Sequence, residues 1–202
     1  MCNVICITNR KLCAGDFLTR IARIAEAGPA AIVLREKDLS EAEYEALAEA
    51  VLTICRRYAA PCILHGFPEA AARLHAKALH LPLWQLQTLP ADMRAQFSAL
   101  GASCHSAQDA QLAASLGCRY ITAGHVFATG CKKGLPPRGL DFLQEVCRAV
   151  SIPVFAIGGI GPENAACAAK AGAAGVCVMS GLMRSADPAE YLASFKKETE
   201  HA

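Results

Sequence analysis

The stretch YITAGHVFATGCKKGLPPRGL (Tyr120–Leu140) begins as an apolar, β-rich run and then becomes polar, basic and rich in Gly and Pro. His125 lies close to this change. In a buried parallel sheet, such a change marks the carboxyl end of a strand, which is where α/β proteins place their functional residues. The stretch therefore predicts an α/β fold with a site at this strand end.

The rest of the chain repeats the same pattern, an apolar run followed by apolar residues at helical spacing. The predicted strands are Val4–Thr8, Ala30–Leu34, Pro61–Leu64, Ala78–Leu81, Gly101–Cys104, Tyr120–Phe127, Pro153–Ile157 and Gly175–Met179. A helix is predicted after each strand; the one at Ser40–Ala59 begins with the capping pair Ser40 and Glu43. The segment Leu83–Leu100 is less regular, and we predict one short helix in it, near Ala91–Leu100.

The predicted strands are continuous apolar runs, which indicates burial on both faces and a parallel sheet with right-handed crossovers. Eight strand–helix units close most economically into a (β/α)8 TIM barrel, for which 202 residues is a short chain. We predict one such domain over residues 1–202, because no linker or change of composition divides the chain. An open doubly wound sheet is the alternative.

The composition limits the class of partner. The chain is 53% hydrophobic with a net charge of +2, so it can bury a large core and carries no strong field for nucleic acid. A small anion fits the few clustered basic residues better. No apolar run reaches about 18 residues, and the start, MCNVICITNR, lacks the basic region of a signal peptide. We therefore expect a cytoplasmic protein without a membrane span.

The chain has 11 cysteines, an odd number, and no CxxC pair. Most of them fall in predicted strands or helices, which indicates reduced thiols used as small buried hydrophobes rather than disulfides. Cys131 is the exception because it lies in the polar loop, where a reactive thiol is the alternative.

The residues at the predicted strand ends are rich in cationic and imidazole groups and poor in carboxylates. They are Thr8, Asn9, Arg10, Arg35, Lys37, His65, His80, Ser103, His105, Gly124, His125, Lys132, Lys133, Gly158, Gly159, Ser180 and Gly181. Glu36 and Asp38 are the acids closest to a strand end, so we expect no dedicated site for a divalent metal such as Mg²⁺. Zinc bound by the histidines is an alternative that no ligand spacing supports.

Two glycine-containing loops predict a phosphate site. Gly158 and Gly159 follow the seventh strand, and Met179, Ser180 and Gly181 follow the eighth. In barrels these two loops often bind phosphate through bare backbone N–H groups, and glycine lets the anion approach closely. The alternative is that the glycines only form tight turns.

Basic side chains predict further contacts with an anion. Arg35 and Lys37 share one side of an extended chain and can hold an anion together. The pair Lys132 and Lys133 lies in a Gly- and Pro-rich loop that can close over a substrate. A solvated charge run and an ordinary basic loop are the respective alternatives.

His125 is the sharpest candidate for chemistry. An unperturbed imidazole has a pKa of about 6.5, so it can take and return a proton at neutral pH. A structural histidine at the end of a strand is the alternative.

Six motifs, in this order, resemble the thiamin phosphate synthase/TenI superfamily over nearly the whole chain. They are LREKD (Leu34–Asp38), HLP (His80–Pro82), SCHS (Ser103–Ser106), GHVFATGCKKGLPPRGL (Gly124–Leu140), FAIGGI (Phe155–Ile160) and VMSGLM (Val178–Met183). The resemblance implies a TIM barrel, a thiazole phosphate ligand and a homodimer. It also implies one of two activities. The synthase joins a pyrimidine diphosphate to a thiazole phosphate with Mg²⁺ held by aspartates, whereas the TenI-like thiazole tautomerase moves a proton without a metal.

Three departures favour the tautomerase branch. The chain has His65-Gly66-Phe67 where the synthase has Asn-Asp-Arg, and no acid lies between Ala70 and Ala91. It also has His125 where the synthase usually has proline. Without carboxylates, no bound metal neutralises a leaving diphosphate. We therefore predict a TenI-like thiazole tautomerase with His125 as its acid/base and with no cofactor.

In this interpretation a cluster of residues binds the small phosphorylated thiazole. The predicted substrate-binding residues are Arg35, Lys37, Ser103, Lys132, Gly158, Gly159, Met179, Ser180 and Gly181. The first alternative is thiamin phosphate synthase itself, with Mg²⁺. The second is a non-catalytic protein that binds thiazole phosphate.

Overall fold

The computed structural model of the chain describes residues 3–132 and 134–200, with the side chains of residues 131 and 197–200 left out. Eight parallel strands in this part of the chain form a closed barrel in sequence order, with β1 paired to both β2 and β8. The strands are β1 (Asn3–Ile7), β2 (Ala31–Leu34), β3 (Cys62–His65), β4 (Ala78–Pro82), β5 (Ala99–Cys104), β6 (Tyr120–Gly124), β7 (Val154–Ile157) and β8 (Gly175–Val178). The predicted TIM barrel is confirmed, and the open-sheet alternative is wrong.

Helices lie between the strands and cover the outside of the barrel. Those in the described residues are α1 (Phe17–Glu26), α2 (Glu41–Arg57), α3 (Pro68–Arg73), α4 (Leu83–Thr88), α5 (Ala91–Ala95), α6 (Ala107–Ser115), α7 (Gly139–Ala149), α8 (Pro162–Lys170), α9 (Ser180–Arg184) and α10 (Pro188–Glu200). Short 3-10 helices add single turns at Arg10–Leu12 and Gly130–Lys132. The predicted capping box of α2 is present, since Ser40 and Glu43 each bond the other's backbone N–H.

Two predicted elements differ in extent, and the structure adds two short helices that the sequence does not predict, α4 and α9. The sixth strand ends at Gly124 and not at Phe127: the ladder with β7 stops at Gly124 and Ile157, and the chain then continues into the loop, where Val126 N–H donates to Ile157 and Phe127 N–H to Gly158. The predicted helix near Ala91–Leu100 is shorter, because Leu100 pairs with β4 as part of β5.

The apolar residues form two clusters, one on each side of the sheet. The larger cluster lies between the strands and the surrounding helices. The smaller one is made of strand residues that point into the barrel: Ile5, Ile7, Ala31, Val33, Ile63, Tyr120 and Cys177. This division follows from the alternation of side chains along each strand. The barrel is therefore filled below its carboxyl end and open above it.

Tyr44 ties α2 to the barrel from within the larger cluster. Its fully buried hydroxyl donates to the carbonyl of Leu34 and accepts from the N–H of His65, both at 2.8 Å. These bonds join the carboxyl ends of β2 and β3. They therefore hold the ends of β2 and β3 at a fixed position relative to each other, and with them the residues that follow these strands.

The described cysteines whose side chains are placed are free thiols, and five of them are buried. Burial raises the pKa of Cys6 to about 12, which favours the neutral thiol expected of a small core hydrophobe. The side chain of Cys131, the predicted exception, lies outside the described residues.

Among residues 3–132 and 134–200, no helix combines the length and the apolar character needed to cross a membrane.

Candidate active site

A cavity of about 1180 Å³ opens at the carboxyl end of the barrel. All of the predicted site residues line it: Arg35, Lys37, Ser103, His125, Lys132, Gly158, Gly159, Met179, Ser180 and Gly181. The structure thus brings together residues that are up to about 146 positions apart in the chain, as expected for the carboxyl ends of barrel strands. Their individual roles stay predictions.

Other residues at the predicted strand ends divide into two groups. Asn9, His65, His105 and Gly124 also line the cavity. The other group forms hydrogen bonds in the wall and floor of the cavity, as described below; it consists of Thr8, Arg10 and His80. Lys133 lies outside the described residues.

Arg35, Lys37 and Lys132 form a cationic cluster at the cavity mouth. Arg35 and Lys37 follow β2, and Lys132 reaches the site from the loop after β6. Burial lowers the pKa of Lys37, and the nearby charges of Arg35 and Lys132 lower it further. The repulsion among these cations is relieved when an anion binds, so the cluster favours an anionic ligand.

Glu36 turns away from this cavity and anchors the same segment. Its buried carboxylate accepts from the hydroxyl of Thr8 at 2.7 Å and from the backbone N–H of Arg10 at 3.0 Å. Thr8 in turn accepts from the N–H of Arg35 at 2.9 Å. These bonds fix the segment after β2 on both sides of Glu36, and its neighbours Arg35 and Lys37 both line the cavity.

The glycine loops after β7 and β8 leave no room for side chains. Gly158 and Gly159 have φ of +101° and +66°. A Cβ atom at Gly158 would collide with His125, and one at Gly159 with the carbonyl of Ala128. A Cβ atom at Gly181 would collide with the Tyr191 hydroxyl. Gly158 and Gly159 are therefore required by backbone conformation and packing, and glycine lets a phosphate approach the backbone N–H groups closely.

His125 lies one residue beyond β6, at the base of the loop that carries Lys132. Its Nε2 atom is 3.4 Å from the carbonyl of Leu135, and its own carbonyl accepts from the N–H of Arg138 at 3.0 Å. The imidazole faces the cavity, and the backbone joins the two ends of the loop. His125 is thus placed both to contact a ligand and to hold the loop.

A polar chain lies under the cavity. His80 joins the Tyr120 hydroxyl, 3.0 Å from Nδ1, to the Ser103 hydroxyl, 2.9 Å from Nε2. Burial, with a smaller contribution from the charge of Arg35, lowers the pKa of His80 to about 3. Burial also lowers the pKa of His65 well below its usual value, with His80 as the next cause. Both imidazoles are therefore neutral at pH 7, and His80 orients Ser103 toward the cavity.

The wall formed after β3 and β4 is apolar, and reasoning from sequence missed it. Phe67, Leu83 and Trp84 line the cavity there, together with the Gln85 amide. The Trp84 side chain is 68% exposed. The signal available in the sequence was an aromatic residue directly after a strand end, inside a segment that lacks clear periodicity.

A family model described as thiamine monophosphate synthase matches residues 4–182 of the chain. The chain belongs to this family. The chain is 37% identical to a thiamine-phosphate synthase of Roseiflexus castenholzii, over 92% of this chain and 82% of the relative. It is 35% identical to a thiamine-phosphate synthase of Roseiflexus sp., over 92% and 80%.

A solved structure shares the fold closely. Thiamine phosphate pyrophosphorylase from Pyrococcus furiosus superposes with a TM-score of 0.83 at 27% identity, covering 98% of this chain and 96% of that one. The chain is accordingly an enzyme of this family.

The predicted thiazole tautomerase activity is wrong, because curated relatives at 35–37% identity over most of the chain are thiamine-phosphate synthases. The absence of carboxylates after β3 and β4 does not by itself show that the transfer reaction is lost. The site nevertheless keeps a cationic cluster that can neutralise an anionic leaving group. The acid/base role predicted for His125 belongs to the tautomerase reaction and is withdrawn together with it.

A family synthase implies Mg²⁺, and the described residues offer it no preformed site: the two carboxylates that line the cavity, Asp109 and Glu163, follow different strands and belong to no group of three possible metal ligands. No group of three His, Cys, Asp or Glu side chains in the described residues is arranged to hold a metal ion. Glu36 is occupied by Thr8 and Arg10, and Asp109 accepts from the N–H of His105 at 2.7 Å. The positions after β3 and β4 carry the apolar wall instead of acids.

Proposed function

We propose that this enzyme is a thiamine-phosphate synthase, which joins a pyrimidine diphosphate to a thiazole phosphate. A bond forms between the thiazole nitrogen and the methylene carbon of the pyrimidine. The bond from that carbon to the diphosphate oxygen breaks, and diphosphate leaves with the electron pair. The observation that carries the proposal is the similarity to synthases over more than nine-tenths of the chain.

The cavity supports two anionic substrates at once. Its volume of about 1180 Å³ exceeds that of most sites for one small molecule, roughly 300–1,000 Å³. The cationic cluster follows β2 and β6, and the glycine loops follow β7 and β8. We assign the diphosphate to the cationic cluster and the thiazole monophosphate to the glycine loops.

Stabilisation of the leaving group is the main catalytic task. Negative charge grows on the diphosphate as the carbon–oxygen bond breaks, and fixed cations lower the energy of that state more than that of the bound substrate. Arg35, Lys37 and Lys132 are positioned for this. Ser103, oriented by neutral His80, supplies a hydroxyl at the cavity floor.

Product formation tests the proposal. The purified protein is incubated with the hydroxymethylpyrimidine diphosphate and the thiazole phosphate, each alone and together, with and without added Mg²⁺. Thiamine phosphate, detected by mass spectrometry, is expected only when both substrates are present. Absence of product under every condition, from a protein with a normal circular dichroism spectrum, would refute the proposal.

A further inference from the structure

Trp84 stands where the cavity wall is apolar and near the cationic cluster. We propose that its indole stacks on the pyrimidine ring of the diphosphate substrate and sets the preference for a planar heterocycle. This inference rests on the proposed function and adds a specificity-determining residue to it.

The indole is held on a fixed backbone although its side chain is exposed. Trp84 lies in the first turn of α4. The next residue, Gln85, donates its side-chain amide to the carbonyl of Gly66 at 2.9 Å, and Leu86 is fully buried. The start of α4 is therefore tied to the loop after β3 and to the core. Aromatic and apolar side chains lining a cavity, with a few polar groups among them, are typical of a site for a small molecule.

The side chains around Trp84 make its indole the aromatic surface on this wall that a flat ligand can cover. Phe67 lines the same side, and its ring stacks on Tyr44 with centroids 4.3 Å apart, so one of its faces is covered. Trp84 is 68% exposed and lines the cavity. Aromatic rings bind planar heterocycles by stacking, which gains contact area with little loss of conformational freedom.

The order of the strands around the barrel favours the pyrimidine over the thiazole as the ring that contacts Trp84. Strands β2, β3 and β4 are neighbours, so Arg35 and Lys37 lie on the same side of the mouth as Trp84. In the closed barrel β8 lies opposite β4, and β7 lies three strands from β4, so the glycine loops are across the cavity from Trp84. Strand β2 lies two strands from β4, so a ring linked to a diphosphate at Arg35 and Lys37 starts closer to Trp84 than a ring linked to a phosphate at Gly159 and Gly181.

Fluorescence gives a direct readout, because Trp84 is the single tryptophan of the chain. The full-length protein is titrated with the pyrimidine diphosphate, with the thiazole phosphate and with inorganic diphosphate, and binding of each is measured in parallel by calorimetry. Quenching of the emission by the pyrimidine diphosphate, with much weaker changes from the other two, is expected. Calorimetric binding of the pyrimidine diphosphate without a change in emission would overturn the proposal.

Kinetics of two variants on the same helix provide the second test. Trp84→Ala is expected to raise KM for the pyrimidine diphosphate about tenfold with little change in kcat, the pattern of a lost stacking contact. KM for the thiazole phosphate should stay within about twofold. Gln87→Ala, an exposed residue of α4 outside the cavity lining, is the matched control and should match the wild type. Equal KM values for Trp84→Ala and Gln87→Ala would reject the role of Trp84.

The outcomes separate this inference from the proposed function. If thiamine phosphate forms but neither emission nor KM responds at Trp84, the synthase assignment stands and the stacking is wrong. If calorimetry detects no pyrimidine diphosphate binding, both are wrong. If the emission instead changes with protein concentration in the absence of ligand, a second copy of the chain covers the indole, and the stacking proposal is rejected.

Discussion

Lys37 is the residue on which the electrostatics of the site depend most. Its side chain is exposed at the cavity and lies near other cations, and partial burial of the amine is the first cause of its lowered pKa. Only the protonated amine stabilises the diphosphate. As the pH rises through a pKa that lies below 10.5, affinity for the diphosphate falls, and the loss begins at a lower pH than for an ordinary lysine.

Replacement of Lys37 by methionine keeps the length of the side chain and removes the charge. Lys37→Met is expected to raise KM for the pyrimidine diphosphate and to lower kcat/KM by about 100-fold, since a cation fixed beside the leaving group contributes most strongly in the transition state. Lys77→Met is the control, because Lys77 is exposed and precedes β4 at the opposite end of the barrel. Similar kcat/KM values for the two variants would contradict the assigned role of Lys37.

Sequence alone located the site better than its chemistry. The predicted residues meet in one cavity, because strand ends in a closed barrel converge whatever the reaction is. The reaction was misjudged at His65-Gly66-Phe67, where absent acids were given more weight than the basic residues retained at Arg35 and Lys37. Trp84 was missed because a single exposed aromatic residue produces no periodic pattern.

At the scale of elements, the strands were predictable because each is a buried apolar run bounded by polar or turn residues. Helix α4 was not, because it spans less than two turns and carries no clear amphipathic stripe, whereas the short helix predicted near Ala91–Leu100 is present as α5. The boundary of β6 at Gly124 also depends on its pairing with the end of β7 and on the loop that follows, which no local pattern contains.

Tyr44 provides a test of how α2 supports the site. Tyr44→Phe removes the hydroxyl that bonds Leu34 and His65, and leaves two buried backbone groups without this partner. The free energy of unfolding is expected to fall by about 1–3 kcal/mol, measured by urea denaturation. Tyr58→Phe, at the partly exposed end of the same helix, should change it by less than about 0.5 kcal/mol. Equal stability of the two variants would show that the buried hydroxyl carries no net stabilisation.

At the scale of the whole molecule, the buried histidines couple folding to pH. The pKa of His80 is about 3 in the folded protein, against about 6.5 in an unfolded chain. Between these values the unfolded state binds more protons, so stability rises with pH. The contribution of His80 is complete above about pH 6.5 and is lost as the pH falls toward 3.

This coupling predicts that the melting temperature of the protein falls between pH 7 and pH 4. The melting temperature of the His80→Gln variant should fall less steeply over the same range. His65, also buried and neutral, retains part of the slope in that variant. His75→Asn is the control, because His75 is exposed and asparagine tolerates its positive φ of 51°. Parallel slopes for His80→Gln and His75→Asn would contradict the assignment of His80 as a buried neutral group.

The central claim is that one cavity holds two anionic substrates and transfers the pyrimidine between them. The most direct measurement follows diphosphate release and thiamine phosphate formation in the same single-turnover experiment, with enzyme in excess over the pyrimidine diphosphate. The account predicts release of one diphosphate for each thiamine phosphate, at equal rates, and only when the thiazole phosphate is present. Diphosphate released at the same rate without the thiazole phosphate would show hydrolysis in place of transfer and would contradict the account.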